Sequence, residues 1–150
     1  MSKYSGIWPV APTPFHPNGE VDYEGMKRVL DCMIDQGVDG ICILANFSEQ
    51  FLITDAEREA LSRLSLEHVA GRVPVIVTIS HYATHIVLQR ARLSKELGAA
   101  MVMMMPPYHG ALLKGTPDQT FEQFAKVGEV GIPIMIQDAP LSGVELSVPL

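Results

Sequence analysis

The sequence has 150 residues, of which 47% are hydrophobic and 19% are charged, as expected for a globular domain with a sizeable core. The formal net charge is −6, and the sequence lacks the stripe of basic residues that binding to nucleic-acid phosphates requires. This argues against a nucleic-acid-binding protein. The N-terminal residues lack a charged-then-apolar signal layout, and no apolar run approaches roughly 18 residues, so we expect a cytoplasmic protein without a membrane partner.

Five apolar runs of strand length follow one another along the chain. They are GIWPVA at 6–11, GICIL at 40–44, PVIVT at 74–78, AMVMMM at 100–105 and PIMIQ at 133–137. Because these runs are continuously apolar, they are typical of parallel strands buried on both faces. The methionines of the fourth run therefore indicate adaptable core packing rather than a cofactor-binding motif.

Four amphipathic stretches of helical period separate the strands, at 21–37, 54–71, 83–98 and 116–131. Thr54 and Glu57 have capping-box spacing at the start of the second, and Thr116 precedes Pro117 at the start of the fourth. The alternating order of strands and helices predicts an α/β protein in which right-handed crossovers place the helices outside a parallel sheet.

Two architectures agree with this order: an open doubly wound sheet, or the first half of an eight-stranded barrel. Length favours the open sheet, because a complete barrel usually needs about 250 residues. The final LSGVELSVPL favours the barrel, since it follows the fifth strand without a finished helix, and we expect a truncated chain.

The two cysteines do not form a recognisable motif. Cys32 lies in a helical pattern and Cys42 in a strand pattern, with no CxxC and no third cysteine. A disulfide framework or a zinc site is therefore unsupported, and both side chains are expected to be reduced core thiols.

Polar or aromatic side chains follow every predicted strand, at the end where parallel α/β proteins carry out chemistry. The set is Thr13, Asn46, Phe47, Ser48, Glu49, Thr78, Ser80, His81, Tyr108, His109, Gln137 and Asp138. The alternative explanation is that loops are polar in any protein of this class.

Three of these segments have specific chemical interpretations. The backbone amides and hydroxyl of ANFSEQ could hold a carboxylate, although the stretch is equally compatible with a structural turn. The prolines of PPYHG stiffen the backbone before Tyr108, whose phenol could relay a proton or simply form a hydrogen bond. His81 and His85 would share a helix face as zinc ligands only if the helix already included His81, so no metal is predicted.

Together these motifs resemble the dihydrodipicolinate synthase and N-acetylneuraminate lyase family. The resemblance covers the whole chain and rests on GIWPVAPTPF, the loop ending in Glu49, PPY and QDAP. It implies a (β/α)8 TIM barrel, of which residues 1–150 would be the N-terminal part, about the first four and a half βα units. It also implies a tetramer that binds a 2-keto acid as a Schiff base, without a cofactor.

This chain departs from the family pattern at two places. Family members usually have GTTGE or GSTGE where residues 45–49 read ANFSE, so the carboxylate-binding positions fall on Asn46 and Phe47, and Ser48 with the loop amides would have to compensate. The proton-relay tyrosine of the family matches Tyr108. Its second tyrosine, at the reacting centre, falls on Gln137.

The glutamine at position 137 favours one reaction over another. A retro-aldol cleavage must remove a proton from the C4 hydroxyl, which an amide cannot do. Dehydration instead removes a proton from C3 and expels the C4 hydroxyl as water. We therefore expect a hydro-lyase acting on a 2-keto-3-deoxy sugar acid, whose hydroxyls Gln137 would orient together with His81 or His109.

The resemblance also implies an imine-forming lysine on the sixth strand, beyond Leu150. None of the five lysines present lies at the end of a predicted strand: Lys3, Lys27, Lys95, Lys114 and Lys126. Three alternatives stay open: a Schiff-base aldolase or condensing enzyme, a divalent-metal aldolase using His81, His85 and His109, and a non-catalytic half-barrel that pairs through exposed strand edges.

Overall fold

A computed structural model describes residues 4–109, 113–138 and 146. The chain divides into two compact units. The first unit comprises residues 1–78 and 97–100, and the second comprises residues 79–96 and 101–150. Helices alternate with parallel strands in both units, which confirms the predicted α/β class.

From residue 4 onwards, where the structure describes it, the first unit contains two parallel strands and two α-helices. In chain order these are helix α1 (Tyr23–Asp35), strand β1 (Ile41–Ile43), helix α2 (Asp55–Val69) and strand β2 (Val75–Thr78). Strand β1 pairs with β2 so that Ile41 lies opposite Val75, and both strands are buried along their whole length. The helices α1 and α2 pack against each other.

The predicted strand at 6–11 is much shorter in the structure. Only Val10 forms a bridge, parallel to Cys42. The prolines at positions 9 and 12 have no N–H to donate, so a regular ladder does not extend along this segment. The backbone nevertheless follows β1, because Cys42 N donates to Pro9 O at 2.9 Å and Ala11 N donates to Cys42 O at 2.8 Å.

Side-chain caps set where the helices begin. Asp22 accepts a hydrogen bond from Gly25 N at 2.7 Å and so starts α1. The predicted capping box of α2 is confirmed, since Glu57 N donates to Thr54 Oγ1 at 3.2 Å and Thr54 N donates to Glu57 Oε2 at 2.8 Å. The Glu57 carboxylate accepts hydrogen bonds from Thr54 N and, also at 2.8 Å, from Thr54 Oγ1, and these two bonds hold the pKa of the carboxyl below its usual value.

A charged cluster joins α1 to the end of α2. Asp31 Oδ1 lies 2.9 Å from His68 Nε2 and accepts a hydrogen bond from Arg72 Nη2 at 2.8 Å. The hydrogen bond from Arg72, followed by that from His68, holds the pKa of the Asp31 carboxyl below its usual value.

Replacement of Asp31 by asparagine should lower stability in a pH-dependent way. Because the pKa of Asp31 is lower in the folded chain, its contribution is present above the unfolded value of 3.8 and is lost as pH falls through the folded value. Urea unfolding of the full-length protein should therefore give a lower midpoint for D31N at pH 7, with a difference that narrows below pH of about 4. A difference independent of pH would contradict the ion pairing.

A matched control lies on the same helix. Asp35 is exposed in the last turn of α1 and makes no ion pair within the described part of the chain. A carboxylate at this end of a helix is disfavoured by the helix dipole, so D35N should leave stability unchanged or slightly raise it.

Within its described residues, the second unit contains two helices, a parallel pair of strands and a short antiparallel pair. In chain order these are helix α3 (Thr84–Glu96), strands β3 (Met101–Met104), β4 (Tyr108–His109) and β5 (Leu113–Lys114), helix α4 (Pro117–Gly128) and strand β6 (Ile134–Ile136). Strand β3 pairs with β6 in parallel, with Val102 opposite Ile134. Thr116 caps α4 by accepting from Gln119 N at 3.2 Å, as the sequence predicts.

Three further features of the structure differ from the sequence predictions. The antiparallel β4–β5 hairpin is new, because strands of two residues carry no readable alternation. Strand β6 is less buried than predicted, since Met135 and Ile136 are 41% and 48% exposed. Cys42 is a core thiol whose pKa is raised by burial, but Cys32 is exposed on α1, so the prediction that both are core thiols was wrong for Cys32.

The core of each unit consists mainly of aliphatic and methionine side chains. The fully buried side chains include Leu30, Ile41, Ile43, Leu44, Leu61, Val69, Ile79, Val87, Val102, Met104 and Val127. The core role predicted for the methionine run is confirmed, because Met101 to Met105 are all buried. None of the helices in the described ranges is long and apolar enough to cross a membrane.

Candidate active site

The loop after β1 is a short turn of 3-10 helix flanked by two residues with unusual backbone angles. The turn covers Asn46–Ser48. Leu44 and Glu49 have φ angles of 60° and 57°, in the left-handed region that costs a residue with a side chain about 1–2 kcal/mol. Such strain persists only where surrounding contacts hold it, and those contacts come from Ser48.

Ser48 is buried and ties the loop to the segment after Val10. Its hydroxyl donates to Ala11 O at 2.6 Å and accepts from Ala45 N at 3.1 Å. Its carbonyl accepts from Thr13 Oγ1 at 2.7 Å. The structure thus brings together Thr13 and Ser48, which the sequence singled out separately, and it uses the Ser48 hydroxyl to hold the loop.

Asn46 and Phe47 differ strongly in their surroundings. Phe47 is 84% exposed, whereas Asn46 is half-buried. Asn46 Oδ1 accepts a hydrogen bond from Gln50 Nε2 at 2.7 Å. The side-chain amide of Asn46 is therefore held in one orientation by a neighbour that lies four residues later in the chain.

A buried arginine connects this amide pair to the end of β2. Arg58, on α2, is only 6% exposed. Its Nη2 donates to Gln50 Oε1 at 3.1 Å and its Nη1 donates to Thr78 O at 2.7 Å. Sequence analysis missed Arg58 and Gln50, although an arginine on the apolar side of α2, one turn before Leu61 and Ser62, was a signal that could have been read.

In the second unit, Ser80 joins the segment before α3 to the end of β3. Its hydroxyl accepts from Met105 N at 2.9 Å, and its carbonyl accepts from Arg90 Nη1 at 2.7 Å. Ser80 is almost completely buried. Its side chain thus positions backbone at this strand exit.

His81 lies before α3 rather than on it. Helix α3 begins at Thr84, so His81 and His85 do not form a pair on one helix face. The His81 ring stacks on Tyr82 with centroids 4.2 Å apart, and its Nδ1 accepts from Ala83 N at 3.0 Å. Within residues 4–109, 113–138 and 146, no three His, Cys, Asp or Glu side chains are placed to hold a metal ion.

The remaining candidate residues lie at the ends of β3 and β6. Tyr108 and His109 form β4, where Tyr108 pairs with Lys114. Gln137 is half-buried directly after β6, and its N–H donates to Met104 O at 2.9 Å. Asp138 beside it is exposed.

The described lysines lie away from the ends of the parallel strands. Lys27, Lys95 and Lys126 are on helices α1, α3 and α4, and Lys114 belongs to the β4–β5 hairpin. Lys3 lies outside the described residues.

Comparison with known proteins gives a consistent picture. The model of the dihydrodipicolinate synthetase family matches residues 3–149. The chain is 58% identical to L-2-keto-3-deoxyarabonate dehydratase from Azospirillum brasilense, over 98% of this chain and 48% of that protein. It is 30% identical to a probable 2-dehydro-3-deoxy-D-pentonate aldolase from Escherichia coli K12, again over 98% of this chain and 48% of that protein.

A solved structure shows the same architecture. The crystal structure of dihydrodipicolinate synthase from Aquifex aeolicus aligns with a TM-score of 0.89 and 32% identity, covering 97% of this chain and 49% of that chain. The prediction of a partial (β/α)8 barrel is confirmed by this match. The chain spans about half the length of the curated relatives that it matches.

Proposed function

The chain belongs to the dihydrodipicolinate synthetase family, and we propose that the whole protein is a Schiff-base-forming hydro-lyase. Its substrate in this proposal is L-2-keto-3-deoxyarabonate, which it converts to 2-oxoglutarate semialdehyde in pentose breakdown. The observation that carries the choice of substrate is the 58% identity to a relative that is named as the dehydratase of this acid.

The chemistry proceeds through an imine between the substrate's 2-keto group and a lysine. By likeness to the family, we place this lysine on the sixth strand of the barrel, which follows β6 and lies in sequence beyond residue 150. No lysine of the described residues ends a parallel strand. The imine withdraws electrons from C3, so that a base can remove a C3 proton while the C4 hydroxyl leaves as water. Transfer of a proton from C5 to C3 of the resulting unsaturated product gives an enol at C4 and C5. The hydroxyl proton of this enol then moves to C4 to form the aldehyde, and hydrolysis of the imine releases the product and frees the lysine.

Asn46 and Phe47 hold the substrate carboxylate in this proposal, and Ser48 supports the loop that presents them. Asn46 contributes its side-chain amide, and Phe47 contributes its backbone N–H, since its side chain has no polar atom. The hydrogen bonds of the Ser48 hydroxyl to Ala11 and Ala45 support a role in which it holds the loop in shape.

Tyr108, Gln137 and a histidine act on the rest of the substrate. Tyr108 relays protons, as its match to the family's tyrosine suggests. Gln137, with His81 or His109, orients the sugar hydroxyls by hydrogen bonds. An amide at position 137 supports dehydration over aldol cleavage, because it cannot accept the C4 hydroxyl proton.

The second candidate function is a Schiff-base aldolase for the same class of acids. The 30% identity to the Escherichia coli relative named as an aldolase favours it. The two reactions differ in their products, because cleavage releases pyruvate and dehydration does not.

Trapping with borohydride tests the Schiff base directly. Incubation of the full-length protein with pyruvate and borohydride should inactivate it and add the mass of one reduced pyruvate imine per subunit, on a lysine beyond residue 150. Full activity after this treatment would contradict the proposal, and loss of activity with a chelator instead would favour a metal aldolase. Turnover of L-2-keto-3-deoxyarabonate without release of pyruvate would then separate dehydratase from aldolase.

Two further features of the whole protein are part of the same proposal. We expect a cytoplasmic location, and a homotetramer by likeness to the family. Size-exclusion chromatography with light scattering on the full-length protein would measure the number of subunits.

A further inference from the structure

The hydrogen bonds from Arg58 to Gln50 and from Gln50 to Asn46 form a chain of three buried or half-buried side chains in the first unit. Arg58 Nη2 donates to Gln50 Oε1 at 3.1 Å, and Gln50 Nε2 donates to Asn46 Oδ1 at 2.7 Å. Arg58 and Gln50 are 6% and 5% exposed. Water therefore has little opportunity to compete for these contacts.

The chemistry of arginine fixes the direction of the whole chain. A guanidinium group only donates hydrogen bonds, so the group that faces Arg58 must be the carbonyl oxygen of Gln50. The amide nitrogen of Gln50 then faces Asn46, and the oxygen of Asn46 must face Gln50. Arg58 thereby fixes the orientation of the Gln50 amide, and Gln50 in turn favours one orientation of the Asn46 amide.

We propose that Arg58 and Gln50 are positioning residues that turn the Asn46 amide so that its Nδ2 group faces the substrate carboxylate. This inference rests on the proposed function, in which Asn46 binds that carboxylate. A carboxylate accepts hydrogen bonds and is repelled by a carbonyl oxygen, so the orientation of the Asn46 amide decides whether the contact attracts or repels. Gln50 and Arg58 thereby determine affinity for 2-keto acids without contacting them.

Replacement of Gln50 by glutamate should reverse the direction of the hydrogen bond between positions 50 and 46. The carboxylate that Q50E introduces would still accept from Arg58, and the fold would be retained by a charge-assisted bond. It can no longer donate to Asn46 Oδ1 and repels that oxygen, so Q50E favours the reversed Asn46 amide, with Nδ2 toward position 50 and the oxygen toward the substrate. In the full-length protein, Q50E should raise the pyruvate concentration for half-maximal borohydride trapping about 10- to 100-fold.

In steady-state kinetics, Q50E should weaken substrate binding and so change KM much more than kcat. The carboxylate contact is the same in the ground state and the transition state, so KM for L-2-keto-3-deoxyarabonate should rise while kcat changes by less than about threefold. A purely structural defect would lower kcat as well as the urea unfolding midpoint. Q50E should instead unfold at or above the wild-type midpoint.

Repeating Q50E in an N46T variant separates the effect of amide orientation on pyruvate binding from the effect of the added negative charge. A threonine hydroxyl at position 46 donates or accepts by simple rotation, so it does not depend on Gln50 for its direction. N46T should bind pyruvate more weakly than wild type, but adding Q50E to N46T should change the half-maximal concentration by less than about threefold. The penalty of Q50E should therefore appear only where Asn46 is retained.

The outcomes are distinguishable. Equal penalties of Q50E in the wild-type and N46T backgrounds would show that charge alone acts and would overturn the positioning role. No penalty in either background would overturn it as well. Failure of the wild-type protein to bind or trap pyruvate would contradict the proposed function first, and the positioning role with it.

Discussion

Replacement of Arg58 by methionine should lower the apparent free energy of unfolding of the full-length protein by about 2–6 kcal/mol. Methionine fills much of the arginine volume but donates no hydrogen bond. The carbonyl of Thr78 and the Oε1 of Gln50 would each lose the donor described above, in a region from which water is largely excluded. A buried acceptor left without a partner costs about 1–3 kcal/mol, and two such acceptors account for the range. Urea unfolding of the wild-type and R58M proteins measures this difference.

The neighbouring Arg63 provides the matched control. It lies on the same helix, its side chain is 47% exposed, and it pairs with Glu59 at 2.9 Å four residues earlier. Exposed pairs of this kind contribute about 0.3–0.5 kcal/mol, so R63M should have a small effect. Similar losses from R58M and R63M would show that the bonds of Arg58 to Gln50 and Thr78 contribute little to stability.

Replacement of Tyr108 by phenylalanine should lower kcat for L-2-keto-3-deoxyarabonate about 10²- to 10⁴-fold, with KM within about threefold of wild type. The change removes only the phenolic oxygen and keeps the ring. Proton transfer by a positioned side chain accounts for rate factors of this size, and a phenyl ring cannot carry a proton. Steady-state kinetics of the full-length enzyme, with product identified as the aldehyde, gives both parameters.

The control for Y108F is Tyr82, another phenol close to a strand exit. Its side chain is 54% exposed and its ring stacks on His81, a contact that phenylalanine retains. Y82F should therefore keep kcat within about threefold of wild type. A Y108F enzyme with wild-type kcat would remove Tyr108 from the mechanism and would leave protons to be carried by another group.

The elements of the fold were predictable where local signals were strong. The starts of α2 and α4 could be predicted from the sequence. In each, the capping threonine bonds a residue only three positions later, Thr54 with Glu57 and Thr116 with Gln119, so the cap is a local sequence motif. Strands β1, β2 and β3 were equally clear, since burial on both faces requires a continuous apolar run. The sequence did not predict two parts of the fold correctly. These are the segment at 6–11, where prolines prevent regular strand pairing, and the two-residue strands β4 and β5.

The candidate site was predictable only in its location. The rule that polar groups after parallel strands carry function identified Thr13, Asn46 and Ser48, which the structure does bring into one loop network. The hydrogen bonds that connect this network could not be predicted from the sequence. Gln50 and Arg58 are eight residues apart, and their bond depends on how α2 packs, which no local pattern encodes. Likewise, a helical pattern alone does not show that Cys32 lies on the exposed side of α1.

The left-handed residues on either side of the Asn46–Ser48 turn have a consequence for the divergence of this protein from its relatives. The conformational cost of the loop falls on Leu44 and Glu49, whereas Asn46 and Phe47 have ordinary helical angles that accept most side chains. Exchange of the exposed Phe47 side chain should therefore leave the folding of the turn nearly unchanged. A change at position 46 is different, because the buried Gln50 donates to the Asn46 side chain, so substitutions at 46 and 50 should occur together.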